Sequence, residues 1–474
     1  MTKRELPQHI KKIVFINPYP YYAKGINEAT LYPPLGVAYL SAVLEQKNIE
    51  CRIIDAAAFR LTDVDIYRKI KTYKPDAIGI TSNIVTARSA IEIGTFLRKK
   101  FPDTWILYGG PYATAESDLL LKQTRGDIVV RGEGERTIVD LIYNIGKLPE
   151  VKGISYRYGK TIIRNQEREL IEDLDSIPFP AYHLLPNFRM YRSRSRRSPI
   201  GFLISSRGCP YGCIYCNKNI FGRRFRMRSP ANVMTEIELL VGRYNVKQID
   251  ILDDNFTLYM PRAEKIFDEV IKRNIHVLFN FQNGIRADRI TPKLVHKMKL
   301  AGVYKAGIGI ESGDPAIQKI IKKSLDLKTV MKASKLLRKE GIIVVGFFMI
   351  GIPGENAEAI QRTIDFAIKV DPHIANFSIV VPLPQTELFD MVKKGGKFLS
   401  DIEHGAKTGF YADNFTFEYG DINQAFIQKY ASKAYKEFYM RPSKILDILS
   451  SIKSYGELKW IVDTAKPLVR FLCT

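Results

Sequence analysis

Three cysteines stand close together: Cys209, Cys213 and Cys216, in the run Ser205-Ser206-Arg207-Gly208-Cys209-Pro210-Tyr211-Gly212-Cys213-Ile214-Tyr215-Cys216. Three residues separate the first pair and two the second. Thiolates bind soft metals and iron–sulfur clusters. Structural zinc takes four ligands, typically in paired short spacings. Here the other cysteines, Cys51 and Cys473, lie far off in the chain, and the nearest histidines are His183 and His276. A set of three thiolates suits a four-iron cluster, on which one iron is left open for another molecule. Glycines and a proline surround the thiols, as in a tight loop rather than in a core segment.

The elements that must hold this loop follow from hydrophobic patterning. Strand 201–205 runs into it. Strands 248–252, 276–281, 305–310, 343–350 and 376–381 alternate with helices 230–243, 261–273, 292–300, 327–340 and 357–369. Polar or Gly/Pro residues follow each strand, which predicts a partial parallel (β/α)6 barrel with its functional loops at the carboxyl ends. Upstream, strands 13–17, 51–54, 77–81, 105–108 and 127–130 alternate with helices 35–45, 63–73, 86–99 and 135–146. That pattern predicts a Rossmann-like, doubly wound parallel sheet, with the loops after Asn17, Asp55, Thr81, Tyr108 and Val130 on one face. A short hairpin over 151–165 and the proline-spaced Ile177-Pro178-Phe179-Pro180-Ala181-Tyr182 lie between the two series. An amphipathic helix over 422–438 and an apolar, lysine-interrupted segment 443–472 make a mainly helical C-terminal region. The expected α/β organisation is a first domain over 1–150, hairpin and linker over 151–197, the barrel over 198–400 and the C-terminal region over 401–474.

The chain of 474 residues has 72 Lys and Arg against 50 Asp and Glu, a net charge of +22. Such a balance favours acidic partners: nucleic acid, an anionic membrane surface, a phosphorylated substrate or an acidic redox protein. Arg207, Lys218, Arg223, Arg224, Arg226 and Arg228 crowd the cysteine loop and suit a rim that recognises anions; a solvated loop has the same composition. The cysteine usage is that of a reducing compartment. No signal-peptide core is visible, and no apolar run reaches the ~18 residues needed to span a bilayer. The expected location is cytoplasmic, with segment 443–474 a candidate for peripheral membrane contact.

Cys209-x3-Cys213-x2-Cys216, with aromatic Tyr215 before the last cysteine, resembles the signature of the radical S-adenosylmethionine (SAM) enzymes. The resemblance implies a [4Fe–4S] cluster on these cysteines and SAM chelated to its unique iron. It further implies reductive cleavage of SAM to methionine and a 5′-deoxyadenosyl radical. Asp253, Asp254 and Asn255 stand where that family places a motif for the SAM amino group, although a helix N-cap cluster would look the same. Glu311 and Ser312 resemble its ribose position, and Gly351 and Pro353 of Gly351-Ile352-Pro353-Gly354-Glu355 its motif beside adenine. Tyr215 and Arg286 complete the implied SAM set.

Pro33-Pro34-Leu35-Gly36, Gly109-Gly110-Pro111-Tyr112-Ala113-Thr114 and Arg131-Gly132-Glu133-Gly134-Glu135 are similar to the branch with an N-terminal cobalamin-binding-type domain. Pro382-Leu383-Pro384-Gln385-Thr386-Glu387-Leu388-Phe389 and Tyr439-Met440-Arg441-Pro442 fit the same branch. The implied cobalamin contacts are Asn17, Leu35, Gly36, Asp55, Thr81, Gly109, Gly110, Tyr112, Gly132 and Glu133; ordinary turn chemistry accounts for such loops equally well. An Asp-x-His-x-x-Gly motif is absent, and Tyr112 occupies a position where relatives often carry histidine, so cobalamin would bind without a protein imidazole.

The resemblance implies cobalamin-dependent methylation of an unactivated carbon. The alternative within the family is radical coupling, cyclisation or rearrangement without methyl transfer. A zinc-stabilised nucleic-acid-binding protein is the rival from another class, and the strand-end motifs weigh against it. A methylthiotransferase is disfavoured because the first domain lacks the extra cysteines for a second cluster. The expected partners are a small-molecule or lipid-like substrate and a reductant such as a ferredoxin or flavodoxin, with no nucleic acid.

Overall fold

A computed structural model describes residues 6–20, 30–193, 195–400, 415–450 and 462. They form two compact units. The first runs to Tyr191 and includes Lys218–Gly222; the second comprises Arg192–Asn217, Arg223–Leu399 and the C-terminal helices.

In the first unit, β1 (Lys12–Asn17), α1 (Leu35–Glu45), β2 (Glu50–Asp55), α2 (Asp63–Tyr73), β3 (Ala77–Thr81) and α3 (Ala87–Lys100) alternate along the chain. Then come β4 (Trp105–Gly109), α4 (Pro111–Ala115), α5 (Ser117–Thr124), β5 (Ile128–Val130), α6 (Gly134–Tyr143), β6 (Ile154–Tyr158) and β7 (Thr161–Arg164). The sheet order is β2-β1-β3-β4-β5-β6-β7. Strands β2 to β5 and β1 are mutually parallel, so Asn17 and Asp55 end level with each other. Strand β1 reads Lys-Ile-Val-Phe-Ile-Asn because it is buried on both faces. Ile13 and Phe15 join a core with α1 and α6, whereas Val14 and Ile16 join another with α2, α3 and α5. Helix α2 starts where Thr62 and Asp65 exchange side-chain and backbone hydrogen bonds as a capping box.

Two features differ from the sequence-based expectation. The hairpin β6–β7 extends the first sheet, β6 pairing antiparallel with β5. Its alternation is that of any half-buried hairpin, and pairing partners are not encoded locally. Helices α4 and α5 occupy a stretch for which no element was expected. Gly110, at φ +95°, turns the chain there and Pro111 starts the helix, a short-range signal of helix onset.

In the second unit, β8 (Ile200–Leu203) precedes the cysteine loop, followed by α7 (Pro230–Gly242), β9 (Gln248–Ile251), α8 (Met260–Lys272) and β10 (Leu278–Ile285). Then come α9 (Pro292–Leu300), β11 (Val303–Glu311), α10 (Pro315–Ile320), α11 (Leu327–Lys339), β12 (Ile343–Ile350), α12 (Ala357–Val370) and β13 (Ile374–Ile379). All six strands are parallel, in sequential order β8-β9-β10-β11-β12-β13. This is the open six-repeat sheet expected from the sequence, with its loops gathered at one end. Helices α13 (Glu387–Gly395), α14 (Gln424–Tyr439) and α15 (Pro442–Ser450) follow. Helix α14 lies against edge strand β13. Its Tyr435 hydroxyl accepts from Phe377 N (3.2 Å) and donates to Phe377 O (3.1 Å), and Tyr439 does the same with Ala375 N (3.0 Å) and Ala375 O (2.9 Å).

Gly94 in α3 is an exception to helix propensity. A Cβ built there would stand 1.6 Å from the buried Tyr108 hydroxyl oxygen. On an open helix Gly→Ala stabilises by about 1 kcal/mol; here Gly94→Ala is expected to destabilise by about 1–3 kcal/mol through overpacking. Urea denaturation checks the sign, and the Gly94→Ala/Tyr108→Phe double variant should recover only part of the loss, because the ring carbon 2.8 Å from the built Cβ remains.

Candidate active site

The cysteine loop is fastened at its start by a buried carboxylate. Asp253, at the end of β9 and 2% exposed, accepts from Ser205 N (2.6 Å), Ser205 Oγ (2.6 Å) and Ser206 Oγ (2.5 Å). Beside it the buried Arg262 donates to Ser205 O (2.6 Å) and Arg228 O (2.7 Å). Asp254 accepts from Gly208 N at 3.1 Å, at a glycine with φ +83° that turns the chain toward Cys209. Further along, Ile214 is buried among Ile317, Ile321, Ile352 and Leu388. Its N–H donates to Ile321 O and its carbonyl accepts from Leu388 N. The loop is therefore held ahead of Cys209 and again between Cys213 and Cys216. Cys209 and Cys213 are half-buried and Cys216 is exposed.

Two tyrosines inside the loop are gripped by cations. The Arg286 guanidinium lies 3.5 Å from the centre of the Tyr211 ring. It is oriented by Asp288 (2.9 Å) and by the carbonyls of Lys323 (3.1 Å) and Ser324 (3.0 Å). Arg289 also hydrogen-bonds Tyr211, which raises its own pKa. Lys323 donates to Glu311 Oε1 at 2.9 Å and to the Tyr215 hydroxyl at 3.2 Å. Burial alone would lower the Lys323 pKa, but Glu311 and the Cys213 thiol hold it above the ordinary lysine value. The Tyr215 phenol is pushed up by burial first and then by Glu311 and Cys213. Cys213, Tyr215, Glu311 and Lys323 thus form one local group. Lys323 escaped the sequence reading: it follows the short helix α10 in a turn, where a lysine ordinarily signals solvent.

The other strand-end residues divide by role. Arg286 spends its donors within the protein, clasping the loop. Asp253 does likewise. Asp254 is exposed. Asn255 is 2% exposed, and both amide atoms of its side chain are buried without a protein partner. Glu311 takes a positive φ of +70°, a conformation rare outside glycine and Asn/Asp. Ser312 faces inward, its hydroxyl 3.0 Å from Thr363 Oγ1 and accepting from Asp314 N. In the Gly351–Glu355 turn, Gly351 adopts φ +93° and Pro353 is buried. Glu355 Oε2 accepts from Gly351 N (2.7 Å) and Ile352 N (2.9 Å), and its Oε1 has no partner. Burial, with Asp314 a lesser cause, pushes the Glu355 carboxyl up to about 8.

The arginine rim expected around the loop is mostly not a rim. Arg207, Arg226 and Arg228 are buried, and Arg228 is engaged by Glu236, Asn232 and Ile204 O. Of the five arginines expected in that rim, only Arg223 and Arg224 are exposed.

In the first unit, the strand-end loops likewise mix internal fasteners with open backbone. Asp55 is fully buried, accepts from Asn17 Nδ2 (2.9 Å), Tyr191 (3.0 Å) and Ala58 N (3.2 Å), and has its pKa raised by burial. Leu35 and Tyr112 pack in the interior. Glu133 is buried and accepts from Ile171 N at 2.7 Å. Thr81 and Gly110 are in contact: a Cβ on Gly110 would meet Ser82 O at 2.6 Å and Thr81 Oγ1 at 3.0 Å. Gly109 accepts from Ser82 N. Gly36 and Gly132, by contrast, look into open space, with no atom within 4 Å of a built Cβ. Cys51 is buried, with its thiol pushed up to about 12 chiefly by burial, and takes no part in such chemistry.

These residues fit the cofactors that the sequence resemblance implies. Among the described residues, no three His, Cys, Asp or Glu side chains converge tightly enough to share a single ion. A four-iron cluster is held by cysteine thiolates, and this loop brings three into one short stretch. The orphaned Asn255 amide supplies a donor and an acceptor for a polar ligand such as SAM. The open glycines at 36 and 132 leave backbone accessible to a large flat cofactor.

A family model for the radical SAM superfamily matches residues 203–367, and one for the B12 binding domain matches residues 25–142. The chain is 32% identical over 445 residues to an uncharacterised methyltransferase, PH0819, of Pyrococcus horikoshii, covering 92% of this chain and 94% of that one. It is 29% identical over 391 residues to the anaerobic magnesium-protoporphyrin IX monomethyl ester cyclase of Rubrivivax gelatinosus, covering 80% and 69%. Its fold is similar to that of the radical SAM methyltransferase TsrM of Kitasatospora setae, with a TM-score of 0.72 at 16% identity over 91% of this chain and 89% of that one.

Two substitutions test how the site is held. Lys323→Met leaves the buried Glu311 carboxylate without its partner, and loss of about 3–5 kcal/mol of stability is expected. Urea denaturation measures it, and Lys323→Met/Glu311→Gln should regain part of the loss. Glu355 has the opposite sign from a salt-bridged carboxylate. Its folded-state pKa of about 8 lies above the ordinary 4.5, so its contribution to stability is full below about 4.5 and is lost as pH rises through about 8. Glu355→Gln keeps an acceptor for Gly351 and Ile352. Thermal unfolding should therefore show equal midpoints near pH 4.5 and a higher midpoint for the variant near pH 8.

Proposed function

The chain belongs to the radical SAM superfamily, in the branch with an N-terminal B12 binding domain, and on that premise we propose that it methylates an unactivated carbon of its substrate. The observation that carries this reading is the near end-to-end match to a methyltransferase, covering 92% of this chain and 94% of the relative. When bound, the cluster supplies the electron that splits SAM into methionine and a 5′-deoxyadenosyl radical, and cobalamin serves as carrier of a methyl group from a second SAM.

The protein's own part is to bind, orient and exclude water. Cys209, Cys213 and Cys216 would ligate the cluster. Asn255 would receive a polar end of SAM, with the exposed Asp254 beside it in the chain as a carboxylate for the SAM ammonium. The Glu311–Lys323 pair, tied to Tyr215, sets a fixed positive and a fixed negative charge next to the Cys213 thiol. Buried charges of this kind act strongly because little water screens them. Tyr215, Arg286, Ser312, Gly351 and Pro353 shape the walls and hold the loops. In the first unit, Gly36 and Gly132 would let cobalamin approach the backbone, while Asn17, Asp55, Tyr112 and Glu133 hold the loops around it. Leu35, Thr81, Gly109 and Gly110 belong to those same loops.

The proposed setting is the reducing cytoplasm, with a ferredoxin- or flavodoxin-like electron donor and a small-molecule or lipid-like substrate. Peripheral membrane contact through 443–474 belongs to the same reading; of that segment only 443–450 and 462 lie within the described residues. No helix among the described residues is long and apolar enough to cross a membrane. A second reading, cyclisation without methyl transfer, is favoured by the 29% identity to the Rubrivivax cyclase.

Anaerobic reconstitution with iron, sulfide and hydroxocobalamin separates the two. Retained cobalt, with both 5′-deoxyadenosine and S-adenosylhomocysteine formed from SAM, is the expected result; deoxyadenosine without S-adenosylhomocysteine would favour cyclisation. Replacing Cys209, Cys213 and Cys216 together with Ala should abolish iron binding and deoxyadenosine formation while cobalt is still retained.

A further inference from the structure

The turn that carries Lys323 is held from outside itself. Lys322, at φ +53°, follows helix α10 in the left-handed region, and Ser324 repeats that conformation at φ +51°. L side chains disfavour it, and neither residue is a glycine or an asparagine. The two bracket Lys323, and one guanidinium grips the carbonyls beside it. Arg286 Nη1 donates to Lys323 O (3.1 Å) and its Nη2 to Ser324 O (3.0 Å). Its Nε donates to Asp288 Oδ1 (2.9 Å), and its flat face lies 3.5 Å from the centre of the Tyr211 ring in the cysteine loop. Arg286 is 9% exposed, so little water competes for these bonds. One side chain thus ties the end of β10, the cysteine loop and the Lys323 turn together.

What the turn delivers is a charge. The Lys323 ammonium reaches Glu311 Oε1 (2.9 Å) and the hydroxyl of Tyr215, which stands between Cys213 and Cys216 in the chain (3.2 Å). Strand β11 leaves room for the pair: a Cβ on Gly309 would stand 2.9 Å from Lys323 Nζ and 3.0 Å from Glu311 Oε1. Glu311 is itself left-handed, at φ +70°. Strain gathered around one ion pair points to a position fixed for use rather than for packing. We infer that Arg286 is a positioning residue for the cluster: it holds the strained turn so that the Lys323 ammonium stays beside the cysteine loop and raises the cluster's reduction potential. The sign follows from charge. One electron, taken from the ferredoxin- or flavodoxin-like donor, carries a [4Fe–4S] cluster from 2+ to 1+, and a fixed cation nearby favours the more negative product. Once the guanidinium is removed, the turn relaxes, Lys323 leaves, and the Glu311 carboxylate that remains opposes reduction. Arg286 then acts through Lys323 and not by touching SAM.

The inference rests on the cluster of the proposed function. Its test is a redox titration of the reconstituted full-length protein without SAM, with the reduced cluster read by electron paramagnetic resonance. Lys323→Gln should disfavour reduction by about tenfold, which for one electron is about 59 mV. Arg286→Gln should move the potential in the same direction. The double variant Arg286→Gln/Lys323→Gln should move it no further than Lys323→Gln alone, since coupled residues are not additive. Ser324→Gly relieves left-handed strain at an exposed position, so adding it to Arg286→Gln should return part of the shift. Where circular dichroism shows that Arg286→Gln has lost the fold, Arg286→Lys replaces it with the same expected signs, because one ammonium lacks the fork that spans two carbonyls. Additive shifts, an unmoved potential in the arginine variant, or no recovery with glycine would each overturn the inference while the proposed function stands. A wild-type chain that takes up no iron would overturn that function, and this inference with it.

Discussion

A carboxylate taken out of water must be given hydrogen-bond donors, and Asp253 takes them from the start of the cysteine loop. That single requirement fixes where the loop leaves the sheet. The same logic recurs around it. Arg262 is satisfied by loop carbonyls, Arg286 by Asp288 and two carbonyls behind the Tyr211 ring, and Lys323 by Glu311 and Tyr215. A loop dense in glycine cannot be held by its own packing, because it buries too few side chains. Buried ions hold it instead, since removing any one partner leaves the other uncompensated. The thiols that would carry the redox chemistry are thereby kept reachable while the backbone beneath them is pinned.

Periodicity made the fold legible. Runs such as Ile-Val-Phe-Ile in β1 and Ile-Val-Val-Gly-Phe-Phe-Met-Ile in β12 can only be strands buried on at least one face, and their alternation with helices dictates parallel pairing. The cysteine spacing was legible for the same reason: thiolates have few other uses in that pattern. What the sequence could not disclose was the direction in which a polar side chain faces. Asp253 and Asn255 sit two residues apart in one acidic-looking trio, yet the first is consumed by serines and the second has no protein partner. Ser312 turns to Thr363, and Tyr112 enters the core. Those fates depend on neighbours remote in the chain. Lys323 shows the converse case, a residue of solvent type made essential to the local charge balance by burial.

The two units solve a common problem differently. Both gather loops at the carboxyl ends of parallel strands, where helix starts and strand ends converge. In the second unit those loops carry charge and thiols. In the first, the acids are turned inward, as Asp55 and Glu133 are, and the backbone at Gly36 and Gly132 is left open. Buried acids beside open backbone suit a large ring system better than a small ion, in accord with the B12 binding domain model that matches there.

The open sheet of the second unit has one more property. A parallel sheet that stops at six strands ends in a row of unpaired backbone groups, a template on which a strand from another molecule could add. Strand β13 is that edge. The phenols of Tyr435 and Tyr439 occupy both the donor and the acceptor of alternate residues, as an adjoining strand would. They satisfy the edge chemically while offering nothing that a further strand can extend. Helix α14 is thus a terminator of sheet growth at this edge.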